Sequence, residues 1–198
     1  MVVIDAAHGG DDAGASIVGQ GGQPEPEKAY TLALSVKLRS LLTARGISVV
    51  TTRESDVTLD AAQRAEIADR AQAQACLSLH ASMNGAGVHL FISSLAPVEG
   101  GNFAPWKTAQ AAWVSRSVAL AGVLNSALLH AGLTVSLGRT ALTAIDSMTC
   151  PAVAVEVAPQ RGNGKDSGAS LDDPAYQTTV ADALAAAMLE WRAEGAQP

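Results

Sequence analysis

Positive charge is scarce in this chain. Its formal net charge is −6, and only 16% of its 198 residues are charged. That balance gives no basic face of the kind that nucleic acid selects. Long apolar runs are missing as well: none reaches the roughly 20 residues that a bilayer span requires. Hydrophobic residues still make up 48% of the chain, which excludes a disordered polymer and supplies a sizeable core. Internal repeats and linkers are absent, so residues 1–198 read as a single domain. The chain opens directly in a strand, with no stretch that reads as a leader. Cysteine is nearly absent too. Cys76 and Cys150 form no CxxC pair, and no further cysteines accompany them to build a thiolate zinc site. Both sit in or beside apolar runs, so buried thiols are the expected state, with a disulfide left open by the spacing.

What is present is a set of apolar runs that end in chemistry. Val2-Val3-Ile4-Asp5-Ala6-Ala7 reads as a buried strand and delivers His8, followed by Gly9 and Gly10. Ala75-Cys76-Leu77-Ser78-Leu79 ends in His80, and Ala152-Val153-Ala154-Val155 ends at Glu156. If these strands lie parallel in one sheet, two imidazoles and a carboxylate meet at its carboxyl edge. That edge is where open α/β sheets bind ligands. Two histidines and a carboxylate are also the ingredients of a catalytic zinc site.

The intervening segments support such a sheet. The glycine-rich loop after His8 carries no GKS, GKT or GxGxxG pattern, so it reads as a flexible loop over a site rather than a phosphate cradle. Pro26 and Glu27 suit a helical first turn, and Tyr30, Leu34, Leu38, Leu41 and Leu42 form the buried stripe up to Gly46. A strand over 47–52, a helix over 59–74 and a strand over 88–92 follow. His89 lies inside that last strand and reads as a half-buried structural histidine. The pattern then predicts a loop over 94–106 and one helix over 107–131, where His130 suits the last turn. An extended run over 140–145, a polar loop over 161–170 and a helix over 174–192 complete the chain. The alternation predicts an α/β fold: a single, mostly parallel, twisted sheet flanked by helices on both faces.

The residues that carry this pattern resemble a known family, the zinc-dependent N-acetylmuramoyl-L-alanine amidases of the amidase 3 type. The matching pieces are Val3 to Gly10 with Asp12-Ala13-Gly14-Ala15, then Glu27-Lys28, then Thr52-Arg53 with Asp56, Leu59 and Arg64. Ser78-Leu79-His80-Ala81 and Pro151-Ala152-Val153 with Val155-Glu156-Val157 close the series. The resemblance implies that His8, Glu27 and His80 bind Zn2+ and that Glu156 is the catalytic carboxylate. Glu27 enters only this way, since its own position reads as a dipole-favoured first-turn carboxylate. The implied reaction is hydrolysis of the amide between N-acetylmuramic acid and L-alanine in peptidoglycan. Two alternatives share the scaffold: a zinc peptidase or deacylase, and a catalytically lapsed peptidoglycan-binding module. The implied partner is a glycan strand with its stem peptide, with no nucleic acid, no membrane span and a monomeric state expected. The implied location is the bacterial envelope outside the cytoplasm, which requires an export signal beyond this chain. Ala6-Ala7, Ser82 and Ala158-Pro159-Gln160-Arg161 depart from the family pattern without removing any of the four site residues.

Overall fold

A computed structural model describes residues 1–19, 22–98, 105–162 and 168–195. Six strands form the central sheet. They are β1 (Val2–Ala6), β4 (Val49–Thr51), β5 (Ala75–Ala81), β6 (Val88–Ser93), β7 (Val135–Thr140) and β8 (Ala152–Val157). Their spatial order is β4-β1-β5-β8-β6-β7. The first four run parallel, and β6 is antiparallel to β8, with β7 parallel to β6. A small antiparallel hairpin, β2 (Ser16–Val18) with β3 (Pro24–Pro26), stands apart from the sheet within the glycine-rich segment. The sheet is thus mostly parallel and flanked on both faces, as the alternation of elements implies.

The two faces are unequal, and the inequality positions the site. One face presents Ile4, Leu77, Leu79, Val153, Val155, Leu90 and their neighbours. It packs against Leu34, Leu38 and Leu42 of α1 (Glu27–Ala44), Leu120, Leu124 and Leu128 of α3 (Val114–His130), and Val180, Leu184 and Met188 of α4 (Pro174–Gly195). Burying large aliphatic side chains there is the main favourable contribution to folding, at about 1.5–3 kcal/mol each. The other face is lined by small residues: Val3, Cys76, Ala152 and Ala154. It meets the alanine stripe of α2 (Ala61–Arg70), together with Ile145, Met148 and Cys150. This second layer covers only the lower half of the strands. Further along the same face, His80, Glu156 and His89 remain half-buried.

Several sequence expectations are corrected. Residues 107–131 do not form one helix. A 3-10 segment, Trp106–Ala112, meets α3 at a bend of 65°. Thr108 has non-helical dihedrals there, and the buried Gln110 amide donates instead to the carbonyls of Met148 and Cys150. The extended run falls at Val135–Thr140, not 140–145, where Ile145–Ser147 is a 3-10 turn. This edge strand escapes the apolar pattern because Leu137 points to solvent and Gly138 lies under the Phe91 ring. The helix expected over 59–74 ends at Arg70; its start is set by a reciprocal capping box between Asp60 and Gln63. Among the described residues no single helix is long and apolar enough to cross a membrane.

Cys76 and Cys150 are joined in a disulfide rather than left as thiols. The bridge ties β5 to the segment entering β8, across 74 residues of sequence. Closing a loop of that length in the unfolded chain is worth about 4 kcal/mol in the chain-entropy model. We expect reductant, or the Cys76→Ala/Cys150→Ala double variant, to lower the melting temperature by about 10 °C. Identical thermal unfolding with and without reductant would show that the bridge does not form.

Candidate active site

The site begins with a sharp turn after β1. His8 takes a left-handed backbone, φ 62°, and Gly9 and Gly10 continue with φ of 130° and 58°. A β-branched or bulky residue strongly resists such dihedrals, and His8 is held in them by its surroundings. Two buried arginines do much of the holding. Arg64 pairs with Asp5 at 2.6 Å and donates to the carbonyls of Ala6 and His8. Arg53 donates to the carbonyls of Ala6, Ala7 and Lys28. Asp5 is completed by the hydroxyls of Thr52 and Ser78. Lys28 closes the outer side, bonding to the Gly10 carbonyl and to Asp56, whose carboxylate also accepts from the Gly10 amide. Burial pushes the Arg53 guanidinium below its ordinary value, with the charge of Arg64 adding to the fall.

Glu27, the first residue of α1, is the centre of the arrangement. It is 4% exposed, and both carboxylate oxygens are engaged. One oxygen lies 3.1 Å from His8 Nε2 and accepts from the Ala15 amide at 2.9 Å. The other lies 3.1 Å from His80 Nδ1 and accepts from the Ala81 amide at 2.9 Å. Burial alone would push this carboxyl up. The two imidazoles and the two amides outweigh it and hold the group well below the usual carboxylate range. In return, Glu27 raises His8 above its ordinary value, against the effect of burial, and Asp12 adds to the rise.

His8, Glu27 and His80 each offer a ligand atom within 4.8 Å of the others, and this group could hold a metal ion. The chemistry of the donors fits one. Tetrahedral ligands bonded at about 2.0–2.1 Å stand about 3.3 Å apart; here one Glu27 oxygen lies 3.1 Å from the His8 nitrogen and the other lies 3.1 Å from the His80 nitrogen. Each imidazole also has an outer partner: His8 Nδ1 lies 2.8 Å from Asp12, and His80 Nε2 lies 3.5 Å from the Ser78 hydroxyl. Such outer contacts fix the ring orientation of a ligating histidine.

Glu156 sits on β8 directly beside His80, its register partner on β5. Among the described residues its carboxylate has no side-chain partner. Arg139 of β7 bonds to the carbonyls of Ser93 and Leu95 rather than to this carboxylate. All four residues predicted from sequence therefore gather at one edge of the sheet. The Asp5–Arg64–Arg53 scaffold and Asp12 were not singled out as a group by the sequence. The sequence signals are the matching pieces that contain Asp12, Arg53 and Arg64 and an aspartate, Asp5, in an otherwise apolar strand; none of them shows that these side chains meet. His130 caps its own helix end, bonding to the Ser126 carbonyl, as expected.

Known proteins share both the sequence pattern and the fold. A family described as N-acetylmuramoyl-L-alanine amidase matches residues 2–190. N-acetylmuramoyl-L-alanine amidase AmiA of Escherichia coli (strain K12) is 38% identical over 81 residues, covering 41% of this chain and 27% of that relative. A probable cell wall amidase, LytH of Staphylococcus saprophyticus, is 46% identical over 61 residues, 30% of this chain and 20% of the relative. The chain thus spans about a quarter of the length of these curated relatives. Solved structures align along nearly the whole chain. The catalytic domain of the amidase CwlV from Bacillus (Paenibacillus) polymyxa is 28% identical with a TM-score of 0.71, covering 97% of each chain. The amidase AmiC2 of Nostoc punctiforme is 25% identical with a TM-score of 0.70, covering 97% of this chain and 96% of the other. With a match that runs from β1 into α4 and a His-Glu-His group at the sheet edge, this chain belongs to the N-acetylmuramoyl-L-alanine amidase family.

Proposed function

We propose that this chain is a single catalytic domain that hydrolyses the amide between N-acetylmuramic acid and L-alanine in peptidoglycan, with Zn2+ held by His8, Glu27 and His80. The observation that carries the reading is the convergence of those three ligand atoms within 4.8 Å, one strand away from Glu156. Two imidazoles and one carboxylate leave a fourth tetrahedral position open, as catalytic zinc requires. When bound, zinc would polarise the scissile carbonyl and acidify the attacking water. The chain's residues supply the rest. Asp12 orients the His8 ring, and the Arg53 and Arg64 contacts fix the turn that carries it. Glu156 takes a proton from the attacking water on a carboxylate oxygen and hands it to the leaving nitrogen, so that the amine departs neutral.

Two further features support the setting. The disulfide between Cys76 and Cys150 suits an oxidising compartment, in keeping with an envelope location outside the cytoplasm. The net charge of −6 offers no general attraction to anionic wall polymers, so substrate recognition is local to the site. We take the acting unit to be the monomer.

Separating binding from chemistry tests the reading. Glu156→Gln keeps size and hydrogen bonding but cannot accept the proton. The zinc-loaded variant should keep its fold and metal while losing about a hundredfold to ten-thousandfold in the rate of peptide release from purified peptidoglycan. Wild-type rates in this variant would contradict the mechanism, and loss of zinc would make Glu156 a ligand. Asp12→Ala should keep one zinc per chain at saturation but bind it about 10- to 100-fold more weakly in chelator competition. Unchanged affinity would remove Asp12 from the site.

A further inference from the structure

His89 reads from the sequence as a structural histidine within a strand, but its place in the sheet points elsewhere. Glu156 pairs with His80 on one side and with His89 on the other. His89 in turn pairs with Ser136 on β7. Side chains at paired positions of neighbouring strands project to the same face, and neighbouring strands lie about 4.8 Å apart. His80, Glu156, His89 and Ser136 therefore form one polar row across four strands. That row lies on the face whose upper half the second helical layer leaves open.

Among the described residues the His89 side chain bonds to Ser136 alone. Its strand neighbours Val88 and Leu90 are fully buried on the opposite face, whereas His89 itself is half-buried. Nδ1 lies 2.5 Å from the Ser136 hydroxyl, which fixes the ring and leaves Nε2 without a side-chain hydrogen-bond partner among the described residues. The loop between β5 and β6 passes over the ring at a glycine. Gly85 has a φ of 83°, and a Cβ built there would fall 2.3 Å from Nε2. The loop backbone thus packs against one side of the nitrogen, and any side chain at 85 would close off the rest. Among the described residues no other side chain bonds to Nε2.

We propose that His89 is a substrate-contacting residue: held by Ser136, it uses Nε2 to hydrogen-bond an oxygen of the muramoyl-peptide on the side of Glu156 away from the His8–Glu27–His80 group. This rests on the amidase reading and extends it by naming a polar subsite formed by β6 and β7. Ser136 is the positioning residue of the pair, since it acts through the imidazole.

The test reads binding separately from turnover. Affinity for a soluble N-acetylmuramoyl-peptide is measured by calorimetry on the zinc-loaded Glu156→Gln protein, then on the same protein carrying His89→Ala, His89→Gln or Ser136→Ala. One neutral hydrogen bond corresponds to about a threefold to tenfold change in affinity. His89→Ala should weaken binding by that amount, His89→Gln, which keeps a donor, should recover part of it, and Ser136→Ala should show a smaller loss. In the otherwise wild-type enzyme, His89→Ala should raise KM by a similar factor with kcat nearly kept. Melting temperature and zinc content should stay unchanged throughout. Equal affinity with and without the imidazole overturns the proposal while leaving the amidase reading intact. A fall in affinity matched by lost stability or zinc, with no recovery in His89→Gln, assigns His89 a purely structural role and also overturns it. Absence of binding by the Glu156→Gln protein, together with an inactive parent enzyme, overturns the substrate reading and this proposal with it.

Discussion

The arrangement turns on one buried carboxylate. Glu27 is held on four sides: by His8 after β1, by the Ala15 amide before the hairpin, and by the His80 imidazole and Ala81 amide at the end of β5. A charged carboxylate removed from water costs several kcal/mol unless such partners replace its hydration. The chain meets that requirement by bringing three sequence-distant segments to one point. The helix geometry agrees with it. Glu27 opens α1 where backbone amides are unpaired, and its own amide donates to the Ala15 carbonyl. An apolar residue at 27 would leave both imidazoles and both amides without their common acceptor.

Beneath this point lies a second ionic layer, which holds the backbone rather than the ligands. Arg64 and Arg53 between them donate to the carbonyl oxygens of residues 6–8, the end of β1 and the turn that presents His8. Guanidinium groups suit this task because their several N–H donors diverge in a fixed plane. Asp5 is the one carboxylate in direct contact with this layer among the described residues. The unusual dihedrals of His8 persist because these contacts over-determine the turn. The same sheet serves two purposes. One face is filled with large aliphatic side chains that stabilise the domain. The other carries small residues low on the strands and the half-buried polar row of His80, Glu156 and His89 beyond them.

Much of this was legible in the chain. Strand-end placement of His8, His80 and Glu156 follows from period and composition, because each closes a run of apolar residues whose burial is forced. Glu27 was legible only through resemblance, since a glutamate in a helical first turn has a sufficient local explanation. Three features were hidden for identifiable reasons. The edge strand Val135–Thr140 lacks an apolar face, so no periodicity marks it. The break after Ala112 comes from a tertiary contact, the Gln110 amide bonding to carbonyls 38 and 40 residues away. The row containing His89 depends on antiparallel pairing of β6 with β8, and strand direction and register are not written in either strand alone.

The central claim is that His8, Glu27 and His80 hold the catalytic ion and that Glu156 does not. Diffraction from zinc-loaded crystals, with anomalous data collected on both sides of the zinc edge, tests it most directly. The account predicts a single anomalous peak in contact with His8 Nε2, His80 Nδ1 and a Glu27 oxygen, with the Glu156 carboxylate nearby but outside bonding distance. A peak ligated by Glu156, or one lying away from Glu27, would contradict it.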